Sequence, residues 1–225
     1  MKLIRSLLLV GALVCSLAAC RSGSDVRSEP EQLIEAAAST AKSLYSDPNY
    51  ASLLDMTNRA RGVLIIPSML KAGFIWGART GNGVLLVRDP NGGGWSNPAF
   101  YTLGGGNWGL QAGVQDQEII IVIMTERGMN AVINRSATLG ADASFAVGEL
   151  GKGYNAATGV GINSDMYTFA KAAGLYAGIS LDGSWIEQRD SWNKSLYGEA
   201  ATPQSILIDR VFSAPQAQPL IAAMP

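Results

Sequence analysis

The sequence predicts an α+β fold: a strongly curved antiparallel β-sheet, or a partial barrel, packed with several short helices. Apolar residues at helical spacing follow Pro30, and continuous apolar runs follow Gly62 and Gln117. Curvature is predicted by three strand segments rich in glycine, alanine and serine, because small residues in strands mark sharp bends or close backbone approach. These segments are residues 109–114, 140–145 and 174–179.

The first 20 residues carry a pattern typical of an export signal. Lys2 and Arg5 precede an uncharged apolar stretch that ends in Leu17-Ala18-Ala19-Cys20. A charged start, a short apolar core and small residues before a cut indicate a secretory signal peptide. The stretch is too short for a comfortable bilayer span, which needs about 20 apolar residues. We therefore predict a signal peptide over residues 1–19.

Cys20 directly follows Leu-Ala-Ala, and this tetrapeptide resembles the lipobox of bacterial lipoproteins. The resemblance implies that Cys20 is acylated and becomes the first mature residue. Each buried CH₂ of an acyl chain contributes about 0.8 kcal/mol to membrane binding. Arg21 follows where an Asp usually means inner-membrane retention, so the expected location is the bacterial cell envelope, at the outer membrane. The alternative is an ordinary signal peptide cut near Ala19, with Cys20 incidental.

Small polar residues over 20–29 predict a flexible tether. A helix is then expected over residues 30–45, because Glu31 lies near its positive end and Lys42 near its negative end. Further helices are predicted at 48–58, 125–134 and 203–211, with a helical turn at 191–197. We expect one domain over residues 30–213 and a disordered Pro/Ala/Gln-rich tail over 214–225.

The apolar run over residues 62–67 predicts a buried strand. A turn is predicted at 68–73, and a hairpin around Asn82-Gly83, since Asn-Gly suits a tight turn. Later strands are expected at 99–103, 108–115, 117–124 and 141–148. The last strands, at 166–172, 175–181 and 184–188, are expected to form a meander.

The composition narrows the possible chemistry. The chain has no histidine, and its two cysteines are Cys15 and Cys20. A Ser-His-Asp triad, a Cys-His pair and a thiolate metal site in the mature domain are therefore excluded. The net charge of −1 argues against nucleic acid, which favours a basic partner. No cofactor is predicted, although an all-carboxylate metal site stays possible.

Two groups of charged residues are candidate sites. Three carboxylates surround one strand: Asp116, Glu118 and Glu126. They are compatible with the active site of a carboxylate hydrolase, or with ordinary charges at a strand edge and a helix start. The cations Arg59, Arg61 and Lys71 flank the first strand. With Lys42 they are compatible with a basic patch for phospholipid headgroups, or with scattered solvated charges.

The glycine-rich run at residues 104–109 matches G-x-G-x-x-G, but a strand follows it where a dinucleotide site needs a helix. We interpret this glycine-rich run as a hinge between strands. Trp95, in a glycine-rich loop, is the tryptophan expected to be exposed.

Several blocks in order resemble the SYLF domain, a lipid-binding family with endocytic and actin-associated eukaryotic members and many bacterial lipoproteins. Together they extend over residues 36–198. The blocks are Ala60-Arg61-Gly62-Val63-Leu64-Ile65-Ile66-Pro67, Lys71-Ala72-Gly73-Phe74, Gly81-Asn82-Gly83-Val84-Leu85, Gly94-Trp95-Ser96-Asn97-Pro98-Ala99-Phe100, residues 109–113 with 119–124, Tyr176-Ala177-Gly178-Ile179-Ser180-Leu181-Asp182-Gly183 and Asn193-Lys194-Ser195-Leu196-Tyr197-Gly198.

The resemblance implies binding of anionic phospholipids, phosphoinositides in eukaryotic members, without catalysis. For an exported bacterial lipoprotein we expect phosphatidylglycerol or cardiolipin, and we do not expect actin binding. The helix over residues 30–45 is not basic, unlike the N-terminal segment of some eukaryotic members. Arg59, Arg61 and Lys71 lie on or beside matching blocks and are the predicted lipid-binding residues. The alternatives are a structural or protein-binding envelope lipoprotein and, further off, a carboxylate-based hydrolase.

Overall fold

The computed structural model describes residues 27–73, 76–108, 113–134, 136–148, 164–172, 175–176, 181 and 183–225. The predicted signal peptide, Cys20 and the tether up to residue 26 lie outside these ranges. The described residues form a mixed α+β fold in which a nine-stranded curled sheet is covered by helices on both faces. The predicted fold class is confirmed.

The first five helices follow the predicted order along the chain, and the sixth was not predicted. α1 begins at a capping box, in which the Ser28 amide donates to Glu31 Oε2 at 3.0 Å. A 3₁₀ turn at Pro48–Tyr50 joins it to α2. The helices are α1 (Glu29–Tyr45), α2 (Ala51–Arg59), α3 (Glu126–Ile133), α4 (Asp190–Tyr197), α5 (Pro203–Leu207) and α6 (Gln218–Ile221).

The strands pair in the order β5-β9-β3-β2-β1-β4-β7-β6, with β8 beside β7. The neighbours are antiparallel except for the parallel pair β6 and β7. The strands are β1 (Gly62–Gly73), β2 (Trp76–Val87), β3 (Ala99–Trp108), β4 (Gly113–Ile123), β5 (Ser136–Thr138), β6 (Phe145–Val147), β7 (Met166–Ala172), β8 (Leu175–Tyr176) and β9 (Trp185–Gln188).

Two apolar cores lie on opposite faces of the central strands. Alternate residues of β1 belong to different cores: Leu64 packs with α3 and α5, whereas Val63 packs with α1, α2 and α6. This is why the run over 62–67 reads as continuously apolar. Residues 63 to 66 are at most 1% exposed, which confirms a strand buried on both faces.

The predicted turn at residues 68–73 is wrong, because β1 continues through a bulge to Gly73. The register shifts by one residue against β2 between Ile65 and Ser68, and a similar shift occurs against β4. Pro67 lies at this shift. Proline cannot donate to the ladder, so an interior strand accommodates it at a bulge, and the bulge bends the strand.

The predicted hairpin around Asn82-Gly83 is also wrong, since β2 runs through both residues. The two strands pair as far as Gly73 and Gly77, and residues 74–75 between them lie outside the described ranges. The glycines here serve close packing against the bulge. A Cβ on Gly81 would lie 2.6 Å from the Ser68 carbonyl oxygen, closer than real Cβ contacts come.

The glycine run starting at Gly104 is not a hinge, because β3 continues through it to Trp108. A Cβ on Gly104 would lie 2.2 Å from the indole of Trp185, and one on Gly105 would lie 2.7 Å from Ser184 Oγ. These glycines therefore let Ser184 and Trp185, at the start of β9, approach β3 closely. The strand predicted at 108–115 is divided between β3 and β4, with residues 109–112 outside the described part.

Three late predictions also need correction. The expected meander does not form, because β9 pairs with β3 and β5, on the other side of the sheet from β7. The strand predicted at 141–148 shortens to β6, since a turn with Gly140 at φ 90° precedes it. The helix predicted at 203–211 ends at Leu207, and Arg210 then adopts a left-handed φ of 54°.

The tail over residues 214–225 is ordered and packed, not disordered as predicted. It forms a 3₁₀ turn (Pro215–Ala217) and α6, and buries Ala217 and Leu220 against the core that contains α1. Its last residue is also held. Trp95 Nε1 and Arg88 Nη2 donate to the Pro225 main-chain oxygen at 3.0 and 3.1 Å. The Pro/Ala/Gln-rich composition of this segment did not indicate that its apolar residues are spaced to pack against the core.

Candidate functional site

The three candidate carboxylates do not form one site. Asp116 accepts from Ser68 Oγ at 2.7 Å, and Glu118 accepts from Thr40 Oγ1 at 2.8 Å. Glu126 starts α3, beyond the other end of β4, about 25 Å away along the strand. Glu126 therefore lies too far from Asp116 and Glu118 to form the carboxylate pair of a hydrolase with either of them.

No group of three or more histidine, cysteine, aspartate or glutamate side chains within the described ranges is placed to hold a metal ion. Within the same ranges, no helix is long and apolar enough to cross a bilayer.

The most strongly perturbed carboxylate is structural. Asp165 is 3% exposed and accepts hydrogen bonds from Thr125 Oγ1 at 2.6 Å, Arg127 Nε at 3.1 Å and the Ser144 amide at 2.9 Å. Burial alone raises its pKa, but the hydrogen bonds outweigh burial and hold the pKa of Asp165 well below the ordinary value. The group ties the start of α3 to the residue before β6.

The three predicted lipid-binding cations do not lie together. Arg59 pairs with Asp55 at 2.6 Å and Arg61 with Glu126 at 3.0 Å, both at the beginning of β1. Lys71 lies near the other end of this strand, about 30 Å away. One patch therefore cannot contain all three residues, and two of them already have carboxylate partners.

Lys71 lies instead beside a cation that the sequence analysis missed. It is directly opposite Arg79 in the register of β1 and β2. Side chains of directly opposed residues share a face of the sheet, with Cβ atoms about 4.5–5.5 Å apart. Arg79 is 8% exposed and donates from Nη2 to the Gly106 carbonyl oxygen at 3.3 Å. The sequence analysis missed this pair because it depends on the register of β1 against β2.

We call the face that carries Met69, Lys71 and Arg79 the Met69 face. Gln117 lies on it, because it is paired with Met69 across β1 and β4. Lys71 is half-buried, and among the described residues no carboxylate forms an ion pair with it. Asp116 and Glu118 lie on the face of the sheet opposite to Lys71.

Comparison with known proteins identifies a family and several relatives. A family model, Ysc84, described as "Las17-binding protein actin regulator", matches residues 104–225. SH3 domain-containing YSC84-like protein 1 of Xenopus laevis is 34% identical over 164 residues, covering 72% of this chain and 48% of the relative. Protein YSC84 of Saccharomyces cerevisiae is 34% identical over 166 residues, covering 72% of this chain and 35% of the relative.

LAS seventeen-binding protein 3 of Saccharomyces cerevisiae is 31% identical over 173 residues, covering 76% of this chain and 37% of the relative. The chain thus spans less than half the length of these relatives. The curled sheet with a helical layer on each face defines an α+β half-barrel domain. The chain belongs to the Ysc84 family, the SYLF family that its sequence blocks resemble.

The family corrects one expectation. We did not expect actin binding, but the matching family is described as an actin regulator. One yeast relative is named Protein YSC84, and another is named LAS seventeen-binding protein 3. The relatives are named as binding or regulatory proteins rather than as enzymes.

Proposed function

We propose that this domain is a non-catalytic binding module that engages anionic phospholipid surfaces. The observation that carries the proposal is the direct opposition of Lys71 and Arg79 on the Met69 face. Their opposition places two cationic side chains next to each other on one face of the sheet. Each cation close to such a surface contributes about 1 kcal/mol.

The proposal includes a lipid anchor at Cys20. Acylation at Cys20 would hold the domain in the bacterial envelope, within reach of a bilayer. A weak headgroup site then acts at high effective concentration, because tethering makes the second contact intramolecular. The net charge of −1 makes a tether useful, since the chain as a whole is not attracted to an anionic surface.

The test is co-sedimentation of the chain from Arg21 to Pro225, which contains every described residue, with phosphatidylcholine vesicles with or without phosphatidylglycerol. Binding to the anionic vesicles alone, weakened by salt, supports the proposal. Lys71→Glu should reduce the affinity about tenfold or more. Lys42→Glu is the matched control, because Lys42 is exposed on α1, on the other side of the sheet. Equal binding to neutral vesicles would contradict the proposal.

A protein partner is the second candidate, favoured by an exposed apolar segment after α5. Ile208 is 43% exposed and Val211 is 67% exposed. Arg210 between them fixes the segment, since its guanidinium donates to the Val87 carbonyl oxygen at 3.1 Å and pairs with Asp89 at 3.4 Å. Apolar side chains on a fixed support are typical of protein interfaces.

The family description and the relatives' names indicate which partner to try first. Co-sedimentation of the chain with actin filaments, compared between the natural protein and Val211→Asp, tests this candidate. Loss of binding in the variant supports a partner site at this segment. Absence of binding by the natural chain rejects actin as its partner.

A further inference from the structure

Trp185 is an aromatic residue that lies on the surface of the sheet. It is 40% exposed and is directly opposed to Gly104 across β9 and β3. The position that a Cβ on Gly104 would take is 2.5 Å from Cε2 and 2.7 Å from Cη2 of the indole, and closer still to Cζ2, which is bonded to both. That position therefore lies over the face of the ring rather than beyond its edge. One face of the indole packs on the backbone at Gly104, so its exposed area lies on the other face and the rim.

Polar side chains border this ring on the same face of the sheet. Thr80 is opposed to Gly104 from the side of β2, and Thr102 and Glu187 form the next opposed pair of β3 and β9 on this face. Thr80 and Glu187 are exposed, and Thr102 is half-buried. Neighbouring side chains on one face of a sheet are about 5–8 Å apart. Two hydroxyls and a carboxylate are thus within reach of a ligand stacked on Trp185.

The charges beside this ring on the sheet nearly balance. Arg189 donates from Nη1 to Thr102 Oγ1 at 3.5 Å, so its guanidinium lies beside the residue that is opposed to Glu187. Asp116 shares this face, but it is four strands from Trp185, about 19 Å away. A carboxylate and a guanidinium next to each other are complementary neither to an anionic membrane nor to a basic partner. They are complementary to a neutral ligand rich in hydrogen-bonding groups.

We propose that Trp185, Thr80, Thr102 and Glu187 bind a flat sugar chain of the kind found in cellulose and chitin, in which the ring substituents are equatorial. Such a sugar ring presents C–H groups on its two faces and hydroxyls around its rim. The face of an indole carries negative charge density and attracts C–H groups. Hydroxyls and a carboxylate at the border of the indole exchange hydrogen bonds with the hydroxyls of the rim.

This site is separate from the Met69 face. Leu103 and Ile186 precede Gly104 and follow Trp185 in their strands, and both lie in the core that contains Met69. Because successive residues of a strand point to opposite faces, Trp185 faces away from that core. The inference therefore goes beyond the proposed lipid function and does not rest on it. Lys71→Glu should leave sugar binding unchanged.

The experiment titrates the chain from Arg21 to Pro225 with cellotetraose and chitotetraose, and with maltotetraose as the sugar control because its links bend the chain. Calorimetry and indole fluorescence measure the affinity. We expect the flat tetramers to bind more tightly than maltotetraose. Trp185→Leu should lower that affinity about tenfold or more, because it keeps apolar cover on Gly104 but removes the aromatic face. Thr80→Val removes one exposed hydroxyl at nearly constant shape and should lower it about fivefold.

Val211→Ala is the control for an exposed apolar side chain, because Val211 follows α5, which packs in the core with Met69. Thermal melting checks that each variant folds. Tetralysine tests a cationic ligand in place of a sugar. Tetralysine binding that is weakened by Glu187→Gln, without binding of either flat tetramer, would overturn the sugar assignment. Flat tetramers that do not bind, or that bind equally to Trp185→Leu and Thr80→Val, would overturn the site.

Discussion

Trp95 Nε1 donates a hydrogen bond to the main-chain oxygen of Pro225 at 3.0 Å, so a residue of the β2–β3 connection holds the end of the described chain. Arg88 reinforces the contact, with its guanidinium 4.3 Å from the Trp95 ring centroid. Trp95 is 8% exposed, which corrects the expectation that it is an exposed loop residue. Its function in the fold is to dock the tail.

We predict that Trp95→Phe lowers the free energy of unfolding by about 1 kcal/mol, because the aromatic ring stays but its hydrogen bond is lost. Urea titration followed by circular dichroism measures the change. Val211→Ala is the control, since this side chain is 67% exposed and should cost little. A Trp95→Phe variant as stable as the natural protein would mean that the tail does not depend on this contact.

Glycine in β2 gives the second prediction. Gly81→Ala should destabilise the domain by about 1–3 kcal/mol, because its Cβ would meet the Ser68 carbonyl oxygen at the bulge. Gly106→Ala should be nearly neutral, since its Cβ would meet nothing within 4 Å. The comparison is made by chemical denaturation. Similar costs at both positions would argue against the close approach at the bulge.

The Asp165 network predicts a dependence of stability on acid. Its pKa is lowered from an ordinary 3.8, so its contribution is present above that pH and is lost as the pH falls toward the lower folded value. Asp165→Asn should lower the free energy of unfolding at pH 7 by about 2–3 kcal/mol. The difference should shrink below about pH 4. Urea titrations at several pH values test this, and a difference independent of pH would contradict it.

The anchor has its own test. Cys20→Ser should abolish acyl labelling and release the protein from the membrane fraction, because the predicted acylation requires the thiol. Cys15→Ser, inside the predicted signal peptide, is the matched control and should remain labelled. Unchanged labelling and fractionation of the Cys20 variant would reject the lipobox interpretation.

The sequence predicted the fold class and most helices because these depend on local patterns. The strand at 62–67 and the helix that begins before Glu31 follow from periodicity and capping. The hairpin was misplaced because Asn82-Gly83 suits both a turn and a strand facing a bulge, and only the long-range pairing decides between them. The cation pair was missed for the same reason, since it depends on strand register.

We propose that the cations of the Met69 face, rather than those at the beginning of β1, bind anionic lipid. The most direct measurement is the affinity of three chains for phosphatidylglycerol vesicles at low salt: the natural protein, Lys71→Glu and Arg59→Glu/Arg61→Glu. Lys71→Glu should weaken binding more than the double variant, although the double variant changes twice the charge, because Arg59 and Arg61 are already paired with Asp55 and Glu126. A larger loss in the double variant would contradict the claim.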